Sequence, residues 1–188
     1  MKRILCLDPG PERTGWCVLD VDDWKVVQTG HADWETVLDM LRRADFAGVA
    51  AEAIVMYTFP GASPNNRLVL ATNFQLGRVF QVCRDLGVEY RQETRARIIR
   101  QLTGLFVYGT KTDDEGARKC VSVSKADMQA TVQQLLGLSA PIRPQHANDA
   151  CCAGLVLWGH PRVQQVADAE AERQQQRKAR PRRGKSAA

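Results

Sequence analysis

Four side chains in this sequence could together hold a divalent metal ion. Asp8 follows a short apolar run and leads into a Pro-Gly turn, and Glu52 interrupts a second apolar segment. His146 and Asp149 lie close together at the start of the last strongly apolar stretch. Burying a carboxylate is costly unless a positive group meets it. Because carboxylate oxygens with one imidazole suit Mg²⁺ or Mn²⁺ better than a structural zinc, the set predicts a site for one of those ions.

Each of the four residues also has a simpler explanation. An aspartate before Pro-Gly, as at Asp8, is a common turn residue. Glu52 could face solvent at a sheet edge, and His146 and Asp149 could cap a helix or compensate its dipole. The combination favours the metal site, because two carboxylates close together raise each other's pKa unless a cation lies between them.

The elements that must position these residues follow from the pattern of apolar and turn-forming residues. Strands are predicted at residues 3–8, 15–21, 24–31, 49–57 and 88–91. Helices are predicted at 34–44, 67–86 and 94–102, from an N-cap at Ser124 with Asp127 in a capping box, and at 144–160 with Pro144 in the first turn. Residues 103–123 show no regular pattern. Three hairpin-linked strands followed by alternating helices and strands predict an α/β domain with a five-stranded mixed sheet flanked by helices.

This arrangement would bring the four candidate ligands together. The first and fourth strands lie side by side, so Asp8 and Glu52 become neighbours. The last helix has small and apolar residues at helical spacing, which predicts close packing on the sheet. That face comprises Ala147, Ala150, Cys151, Gly154, Leu155 and Trp158. His146 and Asp149 flank the face and are expected to point at the end of the sheet that carries the two acids.

The net charge of +5 is unevenly distributed along the chain. Residues 173–188 hold seven lysines and arginines and no acid, whereas the other 172 residues carry 19 basic and 21 acidic groups. The low apolar content of the tail predicts disorder, and clustered basic residues gain affinity for nucleic acids by counterion release. We therefore divide the chain into a folded domain, 1–168, and a basic tail, 169–188, which either contacts DNA or only keeps the protein in solution.

Cysteine usage and hydropathy predict a cytoplasmic protein. The six cysteines form no CxxC pair and several lie in apolar segments, which is typical of reduced core thiols and not of zinc or disulfide frameworks. No run approaches the roughly 18 apolar residues of a membrane span. The first residues lack the apolar run of a signal peptide.

The ordered motifs resemble the RuvC family of Holliday-junction resolvases. The stretch "ILCLDPGPERTGW" (4–16) is similar to the family's apolar-D-P-G turn followed by T-G-W, and the Glu52 strand is similar to its second acidic motif. Four further segments resemble family motifs in the same order: "LGRVFQ" (76–81), "IIRQLTG" (98–104), "SKADMQATVQQLL" (124–136) and "HANDACCAGLVLWGH" (146–160). The resemblance spans about residues 2 to 160.

This resemblance implies an RNase H-like fold, a homodimer, and metal-dependent nicking of four-way and other branched DNA in recombination and repair. It implies that Asp8, Glu52, His146 and Asp149 hold two Mg²⁺ ions, for which Mn²⁺ can substitute. His146 would act as a ligand or as a proton shuttle. Lys125 stands where the family carries a lysine near the scissile phosphate, and it completes the expected catalytic set.

Basic residues expected to contact DNA are spread over the domain and its tail. They are Arg13, Arg100, Lys111, Lys125, Arg177, Lys178, Arg180, Arg182 and Arg183. Arg100 is the expected substitute for a second family lysine. Residues 105–123 are longer and more acidic than the family's compact loop, which leaves substrate choice open. The predicted helix 67–86 has more apolar positions than one core-facing stripe needs, so it either forms a dimer face or is buried within its own domain.

Three other functions compete with junction resolution. The first is a relaxed nuclease acting on flaps, forks or RNA–DNA hybrids. The second follows from "DPGPERTG", which is also similar to the phosphate-binding turn of actin-like ATPases and sugar kinases; those folds need two such domains, and the sequence has no second turn of this kind. The third is an inactive DNA-binding module, which the four filled acidic-site positions disfavour.

Overall fold

The computed structural model describes residues 1–54, 66–103, 108–112 and 118–165, together with residues 168 and 172. The strands are β1 (Arg3–Asp8), β2 (Arg13–Asp20), β3 (Lys25–Asp33), β4 (Gly48–Ala53), β5 (Glu89–Thr94), β6 (Tyr108–Thr112) and β7 (Arg118–Ser122). The helices are α1 (Trp34–Arg43), α2 (Asn66–Leu86), α3 (Arg95–Thr103), α4 (Lys125–Leu136) and α5 (Gln145–Leu157). Strands β1 to β5 form one sheet in the order β3-β2-β1-β4-β5, and β6 pairs with β7.

The central strands β1 and β4 bring two acids to one edge of the sheet. β1 pairs antiparallel with β2 and parallel with β4, and β4 pairs parallel with β5. Leu7 is aligned with Ala51, so Asp8 and Glu52 follow at the same height near the carboxyl ends of neighbouring strands. The predicted mixed sheet, with its first and fourth strands adjacent, is confirmed.

Each face of the sheet carries its own hydrophobic core, because successive side chains of a strand point to opposite faces. Along β1, Ile4 and Cys6 belong to the core shared with α3, α4 and α5. Leu5 and Leu7 belong to the core shared with α1 and α2. Since both faces are covered, the central strands are continuously apolar instead of alternating with polar residues. In such strands an acid is conspicuous.

Several strand boundaries differ from the predictions. β3 runs through Asp33, which then caps α1 by accepting a hydrogen bond from the Thr36 backbone N–H at 2.8 Å. β5 extends to Thr94, because it pairs with β4 residue by residue as far as Ala53. It is an edge strand with mainly exposed or half-buried polar side chains, so its sequence gives little apolar pattern. The end of the strand predicted at 49–57 lies outside the described residues.

The prediction of no regular structure at 103–123 is wrong for two segments. β6 and β7 form an antiparallel pair in which Tyr108 is opposite Ser122 and Thr112 is opposite Arg118. Their sequences, "YGTKT" and "RKCVS", are mostly polar and carry no apolar alternation. The periodicity that indicates a half-buried strand is therefore missing from both.

The last two helices begin close to where the sequence predicts. Ser124 caps α4, and the reciprocal hydrogen bonds between Ser124 and Asp127 form the predicted capping box. Pro144 is the N-cap of α5, one position before the first turn where it is predicted. α5 ends at Leu157 instead of residue 160, and Gly159 follows with a φ of 72°, in the left-handed region that favours glycine.

The predicted core thiols are confirmed for five cysteines, which are free and buried: Cys6, Cys17, Cys83, Cys151 and Cys152. Burial raises the pKa of the Cys6 and Cys152 thiols well above the ordinary value, so these thiols stay protonated and unreactive. Among the described residues, no helix has both the length and the apolar character needed to cross a bilayer.

Helix α5 lies very close to the sheet at two glycines, which have no side chain to separate the two elements. A Cβ on Gly154 would overlap the Cys6 sulfur and lie 2.8 Å from Leu19 Cδ1. A Cβ on Gly15 of β2 would overlap the backbone of His146. The small residues predicted to face the sheet therefore set the spacing between α5 and the strands.

The substitution Gly154→Ala should lower the free energy of unfolding by about 1–3 kcal/mol, because the added methyl group forces α5 away from β1 and β2. Urea denaturation measures the change. Gly77→Ala in α2 is the matched control, since a Cβ built there meets no described atom within 4 Å apart from its own helix backbone and chain neighbours. That control should leave stability unchanged or raise it by up to about 1 kcal/mol. Equal effects of the two substitutions would contradict the close packing of α5.

Candidate active site

Asp8 is held at the end of β1 by the turn and strand that follow it. It pairs with Gly15 of β2, and the Thr14 hydroxyl donates a hydrogen bond to the Asp8 carbonyl oxygen at 2.8 Å. Trp34 Nε1 donates to the carbonyl oxygen of Gly10 at 3.0 Å, which fixes the turn itself. The residues of the D-P-G and T-G-W motifs thus position the Asp8 carboxylate at the carboxyl end of β1.

The first turn of α5 brings a histidine and a second carboxylate to Asp8. Because Gly15 has no side chain, the backbone of His146 can lie directly against β2. His146 Nδ1 is 2.7 Å from Asp8 Oδ2. Asp149 follows one helical turn later and is buried, with only 5% of its side chain exposed. Its carboxylate therefore faces the interior end of the same site.

Asp8, His146 and Asp149 form a group that could hold a metal ion. Each offers one ligand atom, and these atoms lie within 4.8 Å of one another. Two carboxylate oxygens and one imidazole nitrogen suit a hard divalent ion such as Mg²⁺ or Mn²⁺. The Asp8 side chain is 11% exposed, whereas that of His146 is 56% exposed, so the group opens to solvent on the histidine side. The residues present fit such an ion, and a substrate could reach it.

Glu52 lies outside this group of three and pairs with an arginine. Arg95 Nη1 is 3.1 Å from Glu52 Oε2 and 3.4 Å from Asp149 Oδ2, and Arg95 Nη2 is also 3.4 Å from Asp149 Oδ2. The guanidinium therefore bridges the two acids. Arg95 is absent from the residues that the sequence predicts. It directly follows the edge strand β5, whose Glu93 is aligned with Glu52, and only that register brings it to the acids.

Burial disfavours the charged forms of Glu52 and Asp8, and neighbouring carboxylates add to the effect. Burial, with the charges of Asp8 and Asp149, raises the pKa of Glu52 to about 7, although Arg95 opposes the shift. Burial also raises the pKa of Asp8, despite the hydrogen bond from His146. Additional positive charge would favour the charged forms of these buried acids. This is the electrostatic behaviour expected of a cation site.

A second histidine, which the sequence pattern does not predict as a site residue, lies beside the group of Asp8, His146 and Asp149. His31 is aligned with Gly15 across the β2–β3 pair, and its ring stacks on that of His146 with a centroid distance of 5.4 Å. Burial and the nearby charges of Arg13 and His146 lower the pKa of His31. The stack places the His31 ring of β3 against the His146 ring of α5. The register of β3 was the feature needed to find it.

The structure locates some of the predicted basic residues. Lys125 is the exposed first residue of α4, and within the described residues no contact joins it to Asp8, Glu52 or Asp149. Arg13 is exposed and donates to the carbonyl oxygen of His31 at 3.0 Å. Arg100 lies half-buried in α3. Lys111 belongs to β6, where only the backbone is described. The tail residues Arg177, Lys178, Arg180, Arg182 and Arg183 lie outside the described residues.

Comparison with known proteins identifies the fold. Neither the family models nor the curated proteins gave a match to this sequence. Among solved structures, RuvC of Thermus thermophilus in complex with a Holliday junction substrate matches with a TM-score of 0.60 and 17% identity, over 93% of this chain and 96% of that one. A second structure of Thermus thermophilus RuvC matches with a TM-score of 0.59 and 18% identity, over 92% of this chain and 96% of that one.

This chain has the RNase H-like fold of RuvC. The predicted fold class and structural resemblance to RuvC are therefore confirmed. At this level of identity the match concerns the fold alone, and the roles of individual residues stay predictions.

The raised pKa of Glu52 predicts how the stability of the metal-free protein depends on pH. Between its unfolded value of 4.5 and its folded value of about 7, the folded protein holds a proton that the unfolded chain has released. The contribution of Glu52 to stability is thus largest at low pH and is lost as pH rises through this window, by roughly 1–3 kcal/mol.

Urea denaturation in EDTA, at several pH values between about 5 and 8, measures this loss. The variant Glu52→Gln cannot ionise and should show a smaller decline in stability with rising pH than the wild type. Parallel pH profiles for the two proteins would contradict the raised pKa.

Proposed function

We propose that this protein is a divalent-metal-dependent endonuclease that resolves four-way DNA junctions by paired nicking. The observation that carries the proposal is the convergence of Asp8, His146 and Asp149 at the carboxyl end of β1. This chain shares its fold over most of its length with a RuvC structure that is in complex with a Holliday junction substrate. That similarity supports branched DNA as the substrate of this protein.

Asp8, His146 and Asp149, with Glu52 on the Arg95 side, would hold Mg²⁺ or Mn²⁺, two ions per site. When bound, such ions activate water for attack on a phosphodiester and stabilise the leaving oxygen. Asp8 lies centrally, because it contacts His146 directly and its charge acts on both Glu52 and Asp149. We therefore expect its loss to be the most damaging single change in the set.

His146 is suited to hold a proton beside the reacting phosphate. Its Nδ1 faces Asp8, its ring is fixed by the stack on His31, and more than half of its side chain is exposed. A neutral imidazole in this position can accept a proton from the attacking water. The same ring can instead serve as a ligand, as its place in the group of three allows.

Positive charges outside the acidic group would supply affinity for DNA. We assign this role to Arg13, Arg100, Lys111 and Lys125, and to the tail residues that follow the domain. Lys125 would neutralise charge at the phosphate if bound DNA brings the two together. Contacts of this kind position a nucleic acid but carry no sequence information.

A homodimer would place two such sites on one junction. Leu70 and Phe74 of α2 lie one helical turn apart and are 59% and 68% exposed. Leu76 and Val79, on the other side of the helix, are buried, and the exposed Leu68 and Phe80 lie nearer to that buried side than to Leu70 and Phe74. Leu70 and Phe74 thus form an exposed apolar pair on a long helix, which favours a protein interface. We assign this face of α2 to the contact between two copies of the chain.

Replacing Asp8 tests the nuclease assignment. Asp8→Asn should bind a synthetic four-way junction but nick it at least about a hundredfold more slowly, because a charged group central to the reaction is lost. Gel assays with Mg²⁺, Mn²⁺ and EDTA measure nicking, and a mobility shift measures binding. Asp45→Asn is the matched control, because Asp45 is an exposed acid that precedes β4 at the other end of the sheet.

Normal cleavage by Asp8→Asn, or cleavage in EDTA, would contradict the metal site. A Y-fork and an RNA–DNA hybrid of the same sequence are run in parallel with the junction. Preference for the junction supports resolution of four-way DNA, and equal cleavage of all three substrates supports the relaxed nuclease instead.

Introducing negative charge on the exposed face of α2 tests the proposed dimer. Leu70→Glu combined with Phe74→Glu should convert a dimer to a monomer, because two buried carboxylates without partners oppose association. Sedimentation velocity measures the mass. Val27→Glu introduces a similar charge at an exposed valine of β3 and should leave the dimer intact. A wild type that sediments as a monomer at the concentrations used for nicking would contradict the assignment of this face.

A further inference from the structure

We propose that Arg95 is a counter-cation built into the site, which neutralises Glu52 and Asp149 while no metal is bound and competes with divalent ions for the same oxygens. The inference rests on the metal site proposed above. It adds a residue, supplied by the chain itself, that limits the affinity of the site for metal.

The competing contacts are made to the atoms that would bind the ion. The guanidinium of Arg95 contacts Glu52 Oε2 and Asp149 Oδ2. Asp149 also belongs to the group of three ligand atoms with Asp8 and His146. A divalent ion on the same carboxylates would lie close to the guanidinium, and two like charges so near each other repel. Both cations cannot occupy their best positions together.

The arginine is the partner that can move. Glu52 and Asp149 are 9% and 5% exposed and are held by β4 and α5, whereas the Arg95 side chain is 40% exposed. Its backbone is fixed as the first residue of α3, directly after β5. A long side chain that reaches into the site from its rim can swing outward without disturbing either core. The acids would stay in place and the guanidinium would leave them.

The charge of Arg95 is permanent in this setting. Burial acts to lower the pKa of Arg95, but the carboxylates of Glu52, Asp149 and Asp8 outweigh it and raise the pKa. The guanidinium therefore cannot leave by losing its proton. It must be displaced, and displacement is a cost that every metal ion entering the site would meet.

Neutralising Arg95 should tighten metal binding. Titration calorimetry with MnCl₂, in the absence of DNA, measures the dissociation constant of the full-length protein. Arg95→Gln should lower that constant on the order of tenfold, within the usual range for two coupled binding events. The matched control is Arg97→Gln, which removes the same charge from the same helix, because Arg97 is exposed and pairs with Glu93 instead of the buried acids.

Thermal unfolding supplies a readout that is independent of nicking. In EDTA, Arg95→Gln should melt at a lower temperature than the wild type, because Glu52 and Asp149 lose their partner. Adding MnCl₂ should raise its melting temperature more than it raises that of the wild type. Arg95→Lys keeps a positive charge but cannot bridge both carboxylates with one planar group, so its affinity for Mn²⁺ should fall between the other two. This variant tests the proposal even if Arg95→Gln does not fold in EDTA.

The outcomes separate this inference from the proposed function. An unchanged or weaker affinity for Mn²⁺ in Arg95→Gln, or an equal change in Arg97→Gln, overturns the competition. The proposed nuclease function still holds in that case if the wild type binds Mn²⁺ and nicks junctions. Both the metal site and the competition are wrong if neither the wild type nor Arg95→Gln binds Mn²⁺. They are also wrong if the binding persists when Asp8→Asn is introduced. Binding by Arg95→Gln alone supports the competition in its strongest form.

Discussion

The site depends on one electrostatic constraint: Asp8, Glu52 and Asp149 are buried close together where two parallel strands and a helix meet. Buried carboxylates need positive partners, since otherwise they take up protons and lose their charge. In this structure His146 meets Asp8, and Arg95 meets the other two. Even so, the pKa of Glu52 is raised to about 7, so the positive charge present does not fully compensate the acids.

Close packing of α5 is what makes this constraint unavoidable. Gly15 and Gly154 let the helix lie against β2 and β1, and the spacing leaves no room for a methyl group at either position. Asp149 is consequently carried into the same small space as Asp8, with His146 one turn before it. A larger separation between helix and sheet would admit water and relieve the repulsion. The glycines thus connect the packing of the core to the electrostatics of the site.

The sequence is sufficient to predict the central sheet and the three converging side chains, because each leaves a local pattern. Asp8 is an acid in an apolar strand, and Asp149 lies beside a stripe of small residues. The features that were missed depend on partners distant in sequence. Arg95 reaches Glu52 only through the register of β5 on β4, and His31 reaches His146 only through the register of β3 on β2. Edge strands such as β5 have few apolar residues, so neither their bounds nor their neighbours can be read from periodicity.

The charge distribution separates affinity for DNA from the chemistry at the acids. Residues 1–172 carry 21 acidic and 19 basic groups, and the site concentrates three of those acids. A phosphate approaching this site meets repulsion unless cations are present, since like charges in a poorly solvated region interact strongly. Arg95 already reduces that repulsion in the metal-free protein, and bound divalent ions would reverse the local charge. Cations and DNA phosphates should therefore favour each other's binding at this site.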